Sequence, residues 1–220
     1  MNRRAIIVAL LSLLSIALWG PDVRRAFGHP DVGLALILVF FMNSMHGRVD
    51  RFVDVALAAD ALRQLKSRDA VDRMLIEEPV RAFDLAFGVL ARFDGDRLEV
   101  VRSAGAAIAR GTAIENADRL ASYVATRRQA LTLRPHYWHS EVLCDHGVEP
   151  SMAVPIFSHE DLTAIAFYAA HRNGTDFDGD EISLIERMAD AAGAAYDRLE
   201  AKALRQQLLS TASPPLAAGS

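Results

Sequence analysis

Residues 147–200 read GVEPSMAVPIFSHEDLTAIAFYAAHRNGTDFDGDEISLIERMADAAGAAYDRLE. Two apolar runs, SMAVPIF and LTAIAFYAAH, flank the polar turn SHED and read as a β-hairpin. Pro155 inside the first run cannot donate to a strand ladder, so it marks a bulge or a sheet edge. The apolar period then changes from two to alternating steps of three and four. A helix is expected from near Asp178, where Asp178 and Glu181 form a capping-box-like pair. Ile182, Ile185, Ala189, Ala192, Tyr196, Leu199 and Ala203 keep that spacing over three heptads, and the alanines leave room for another helix to approach closely.

Working outward, DLAFGVLARF and RLEVVRS are separated by DGD, a second hairpin signal at Asp94-Gly95. In residues 114–128, Ile114, Ala117, Leu120, Ala121 and Val124 share one helical face. QALTL, residues 129–133, follows as a short strand. Earlier still, Phe52, Val55, Ala59 and Leu62 form the seam of a helix. Ser67 is expected to cap the next helix, which carries Val71, Met74 and Leu75 and which Pro79 should end. The order of elements is α+β. STASPPLAAGS at the end has nothing to bury.

The chain has 220 residues, of which 51% are apolar, and the excess is concentrated before residue 47. Residues 5–21 and 32–47 each pass without a charge, which predicts a hairpin of two membrane helices. Each would rise roughly 25 Å against a hydrocarbon core of about 30 Å, a gap that flanking arginines can close by snorkelling. The alternative for the first segment is a cleaved signal, since MNRR and an apolar run also fit that pattern. Arg48, Arg51, Arg63 and Lys66 after the second segment place both ends in the cytoplasm of a multi-pass inner-membrane protein. One cysteine excludes an internal disulfide framework. A net charge of −4 offers no basic surface for nucleic acid.

The stretch HYWHSEVLCDHGVEPSMAVPIF, residues 136–157, gathers three of the seven histidines and the only cysteine. His136, His139, Cys144 and His146 spell H-x-x-H-x4-C-x-H, enough donors for a tetrahedral metal site, yet without the paired spacing of structural zinc sequences. The plainer reading is that Trp138 and Leu143 cover the sheet while the histidines line a hydrated loop.

Gly147-Val148 before Ser151, the Val154-Pro155 strand, the polar turn, the second apolar strand and Phe177 ahead of the terminal helix together resemble the C-terminal half of GAF domains. The resemblance extends over roughly Ser67 to Leu208. It implies an antiparallel sheet of about five to six strands, helices packed on one face and a ligand pocket on the other. The segment from His139 to Ser151 is similar to that of phytochrome-type GAF domains, in which this histidine and another, at the position of His171, face a bilin. The Pro-Ala-Ser-Asp-Ile-Pro segment of those proteins has no counterpart here. Trp138 stands where plant-type members carry the pigment-linking cysteine, so a covalent bilin is not expected.

Other GAF chemistries match less. Cyclic-nucleotide binders are associated with Asn-Lys and Phe-x-x-x-Asp-Glu; Asn173 lacks the Lys, and Phe177 stands one residue too close to Asp180-Glu181. Methionine sulfoxide reductases of this family need several thiols. The pairs Asp145-His146 and His159-Glu160-Asp161 come with no nucleophile or phosphate loop, so no enzymatic activity is expected.

The organisation expected is a transmembrane hairpin (1–47), a linker helix (48–66), a GAF-like domain with a C-terminal dimerisation helix (67–209) and a tail (210–220). The function expected is sensory: a small ligand held by His136, Trp138, His139, Cys144, His146 and His171, a homodimer, and an output protein acted on in trans. A ligand-free membrane scaffold is the alternative, with bilin, haem and metal sensing behind both. The cofactor is left open.

Overall fold

The computed structural model describes residues 49–115, 117–133, 138, 140–147 and 149–212. The chain divides into two compact units, Met1–Asp50 and Arg51–Ser220, and the fold is that of the second. The two uncharged segments at 5–21 and 32–47 lie outside the described residues. Among the described residues no helix is long and apolar enough to cross a membrane.

A helix runs to residue 62 (α1, 51–62 in this unit). Its seam does not stand free as a linker, because Val55, Ala59 and Leu62 are all but fully buried in the core of the unit. α2 follows at Arg68–Ala82, and the Ser67 hydroxyl accepts from the Ala70 N–H, as the sequence predicts for an N-cap. Pro79 does not end α2; it sits inside the helix. A proline there leaves the carbonyl four residues earlier without its helical donor. That carbonyl, on Leu75, accepts instead from the buried Tyr168 hydroxyl at 2.8 Å.

Six strands form one antiparallel sheet in the order β3-β2-β1-β6-β5-β4. They are β1 (Gly88–Asp94), β2 (Arg97–Ala104), β3 (Ala113–Ile114), β4 (Leu131–Thr132), β5 (Met152–Ser158) and β6 (Asp161–Tyr168). β1 and β2 are joined by Gly95-Asp96, with Gly95 at φ 60°, a left-handed turn conformation that glycine adopts without steric cost. The hairpin of β5 and β6 turns through His159 and Glu160, both at positive φ without being glycine. The structure supplies the restraint from outside the turn: Asp197 accepts from the Ser158 hydroxyl and from the His159 N–H.

Pro155 pairs with Ile165 on one side and, among the described residues, with nothing on the other, which is the edge. The register shift between Ile156 and Phe157 comes from an extra residue, Thr163, in β6 and not from a bulge in the proline's own strand. β4 is shorter than the QALTL run. The Ala130 N–H turns away from the ladder to donate to Glu186 at 2.7 Å, and a cleft of about 110 Å³ opens where β4 and β5 part. Ile114 belongs to β3, opposite Leu98, and the helix expected from it starts later, as α3 (Ala117–Arg127).

α5 (Gly179–Ala212) is 34 residues long, roughly 50 Å. Its capping box is reciprocal: Asp178 Oδ1 accepts from the Glu181 N–H, and Glu181 Oε2 accepts from the Asp178 N–H, each at 3.0 Å. Residues from Leu184 to Tyr196 bury against the sheet, whereas Leu204, Leu208 and Leu209 are exposed. The seam read over three heptads is therefore shared between the domain's own core and the exposed end. Arg198 fastens α5 to the end of α1 by donating to the carbonyls of Arg63 and Leu65.

Candidate ligand-binding face

Strand alternation splits the core into two. Ala164, Ala166 and Tyr168 of β6 point to the face covered by α1, α2 and α5, while Ile165, Phe167 and Ala169 point to the other. On that second face Val89 and Ala91 of β1, Leu98 and Val100 of β2 and Ala153 of β5 complete the floor. Leu120 and Val124 of α3 cover one part. Leu143 covers another, from a short helix, α4 (Glu141–Asp145), that was not foreseen within the histidine-rich stretch. α4 forms because Ser140 is a buried N-cap accepting from the Leu143 N–H.

The indole of Trp138 lies flat on Phe167, with ring centroids 5.3 Å apart and planes 12° from parallel. Stacking of this kind adds about 0.5–1.5 kcal/mol to the burial of the rings. Cys144 is half-buried in α4, and His146 is exposed at its C-terminal end. His136 and His139 lie outside the described residues. Among the described residues no group of three or more His, Cys, Asp and Glu side chains is placed to hold a metal ion.

The structure sets His171 apart from Trp138. Its Nδ1 lies 2.9 Å from the Thr175 carbonyl and its Nε2 3.2 Å from Glu181, and its ring packs on Phe177, a residue of the helix-covered core. The hydrogen bond to Glu181 holds its pKa above the usual histidine value, against the opposing effect of burial. His171 thus secures the start of α5, and both ring nitrogens have partners within the chain.

Among the described residues, the buried pair of opposite charges lies on the helix face. Asp72 of α2 accepts from the Tyr196 hydroxyl at 2.6 Å and from the Arg92 guanidinium at 2.8 Å, and Arg92 also stands over the Tyr196 ring. Burial, followed by the charge of Asp72, raises the Tyr196 hydroxyl well above the ordinary tyrosine range, so it remains a donor. The cluster ties α2, β1 and α5 together. A signal for it exists in the sequence: Asp72 falls on the apolar stripe of its helix, and Arg92 interrupts an apolar strand.

The six-stranded antiparallel sheet with helices on both faces is the architecture of GAF domains, and the chain belongs to that family, whose sequence model matches residues 66–197. The chain is similar to the blue-light-absorbing form of the PixJ GAF domain of Thermosynechococcus elongatus, at 17% identity and a TM-score of 0.54, covering 67% of this chain and 95% of that one. It is similar to residues 122 to 287 of a methyl-accepting chemotaxis protein, at 14% identity and a TM-score of 0.55 over 66% and 98% of the two chains. It is also similar to a far-red-absorbing protein solved in its dark state with bound biliverdin, at 16% identity and a TM-score of 0.55 over 67% and 99%. A search of curated proteins returns no match. GAF domains are commonly the sensory parts of signalling proteins, and this one has their fold.

Proposed function

We propose that the protein is a membrane-tethered cytoplasmic sensor in which the sheet face beneath Trp138 takes a small ligand. It works as a homodimer and acts on its output protein in trans, through the packing of α1, α2 and α5. One observation carries the reading: the Trp138 indole is laid on Phe167 over a floor containing the small residues Ala91, Ala153 and Ala169. A flat ligand can replace or extend such a stack. His136, His139 and Cys144 belong to the same connection between β4 and β5 and supply its polar contacts. His146 stands at the rim, and His171 serves the site indirectly by fixing α5. The uncharged segments at 5–21 and 32–47 provide the tether, and the exposed Leu204 and Leu208 provide the dimer contact.

A second reading, a ligand-free scaffold at the membrane, is favoured by how fully the face is packed: Val89, Leu98, Val100 and Ile165 are at most 1% exposed. The two separate in one experiment. The purified protein is examined for absorption in the visible range and for metal, then screened by thermal shift against cyclic nucleotides, haem and biliverdin. A shift that Trp138→Ala abolishes supports the sensor. A colourless, metal-free protein that responds to none of them supports the scaffold.

A further inference from the structure

Phe167 and Tyr168 are neighbours on β6, yet they serve opposite faces of the sheet. Phe167 carries Trp138 on the candidate ligand face. The Tyr168 ring is fully buried on the helix face, where its hydroxyl reaches the Leu75 carbonyl that Pro79 leaves without an i+4 donor. Leu75 itself is fully buried, so water does not reach that side chain's surroundings, and an unmet carbonyl there would carry a desolvation penalty.

Gly88 gives the contact its closeness. A β-carbon at this position would lie 2.9 Å from Val80 Cγ2, 3.1 Å from Ile76 Cγ2 and 3.3 Å from Tyr168 Cδ1. Its absence lets the Pro79 segment of α2 settle directly onto the tyrosine. β6 is paired on both sides at this level, Phe167 with Val89 and Ala153, and Tyr168 with Gly88 and Met152. A displacement of Phe167 is therefore not absorbed by a loose strand.

We infer that Phe167 and Tyr168 form a through-sheet relay: the seating of Trp138 on one face sets how firmly Tyr168 holds the proline-broken turn of α2 on the other. This rests on the reading of the Trp138 face as the ligand face, and it makes α2 the first helix to respond to an occupant. Tyr168 is a positioning residue in this scheme, since it touches α2 and not the ligand.

The test uses hydrogen exchange of the full-length protein, followed at the amides of residues 76–83. Tyr168→Phe is expected to speed exchange there about fivefold, the factor given by about 1 kcal/mol of hydrogen bonding. In a Pro79→Ala background, where the alanine supplies the missing N–H, the same Tyr168→Phe change is expected to alter exchange by less than about twofold. Trp138→Ala is expected to speed the α2 amides in the parent chain, but not when Tyr168→Phe is already present. An equal Tyr168→Phe effect in both backgrounds overturns the compensation. A Trp138→Ala response confined to the strands and the β4–α4 connection overturns the relay. Should Trp138→Ala loosen β1 and β2 as well, Phe167→Leu is read in the same way. A silent ligand screen with intact exchange coupling removes only the ligand reading; a positive screen without coupling removes only the relay.

Discussion

Gly193 of α5 passes so close to Phe157 of β5 that a β-carbon on it would lie 1.9 Å from the Phe157 carbonyl oxygen. In a free helix, alanine is better than glycine by about 1 kcal/mol. Here the backbone of the strand has no room to give. Gly193→Ala should therefore destabilise the domain by about 1–3 kcal/mol, as overpacking does, and a urea titration reads the sign directly.

The turn at His159-Glu160 is the opposite case. Glu160 sits at φ 73°, where a side chain costs roughly 1 kcal/mol, and its ion pair with Arg128 is on the surface and contributes little. Glu160→Gly should raise the melting temperature by a few degrees, corresponding to about 0.5–1 kcal/mol. A lower melting temperature would show that the Arg128 contact outweighs the backbone strain.

Within the helix-face cluster, Asp72→Ala leaves Arg92 buried without its counter-charge. The expected cost is about 3–5 kcal/mol, enough to unfold a marginal domain. Tyr196→Phe keeps the ion pair and removes two hydrogen bonds, the one its hydroxyl donates to Asp72 and the longer one it accepts from Arg92, at about 1–2 kcal/mol. Thermal unfolding of the two variants should rank them in that order.

The His171–Glu181 contact predicts a pH dependence. Because the folded state raises the histidine's pKa, the contact's stabilisation is fully present below the ordinary histidine value of 6.5 and is lost as pH rises through the higher folded value. Apart from other groups, the parent should lose stability across that window. Glu181→Gln keeps an acceptor for the capping box and should flatten the dependence, which unfolding at a series of pH values measures.

If the exposed end of α5 is the dimer contact, charges on it should break the dimer. Leu204→Glu with Leu208→Glu is expected to give monomers in analytical ultracentrifugation without lowering the domain's stability, since both side chains are more than half exposed.

Much of the fold was legible where chemistry is local. The capping box at Asp178 and Glu181, the N-cap at Ser67 and the two hairpins depend on a few adjacent residues, and each formed as read. Pro79 is tolerated inside α2 because of Tyr168, 89 positions away in the chain, which no local signal reports. Ile114 joined β3 instead of the following helix because Leu98 offered a strand partner. For the candidate site, Trp138 and Leu143 cover the sheet, as apolar residues in a polar stretch imply. His171 was expected beside them, but its environment is decided by Glu181 on the next helix. Asp72 and Arg92 each break an apolar pattern, and only folding shows that the two breaks coincide.

Pro155 has a further consequence. It has no N–H, and a strand accommodates proline where that side faces away from its ladder partner; with β6 on the inner side of β5, that is the outer side, toward β4. Among the described residues β4 pairs only with Met152 and Ala153 there, so beyond them the sheet ends in an open rim. A rim without a donor at its centre is a poor template for a strand from another molecule. The β5 side of the sheet is thus guarded against pairing edge to edge with a second copy of the chain.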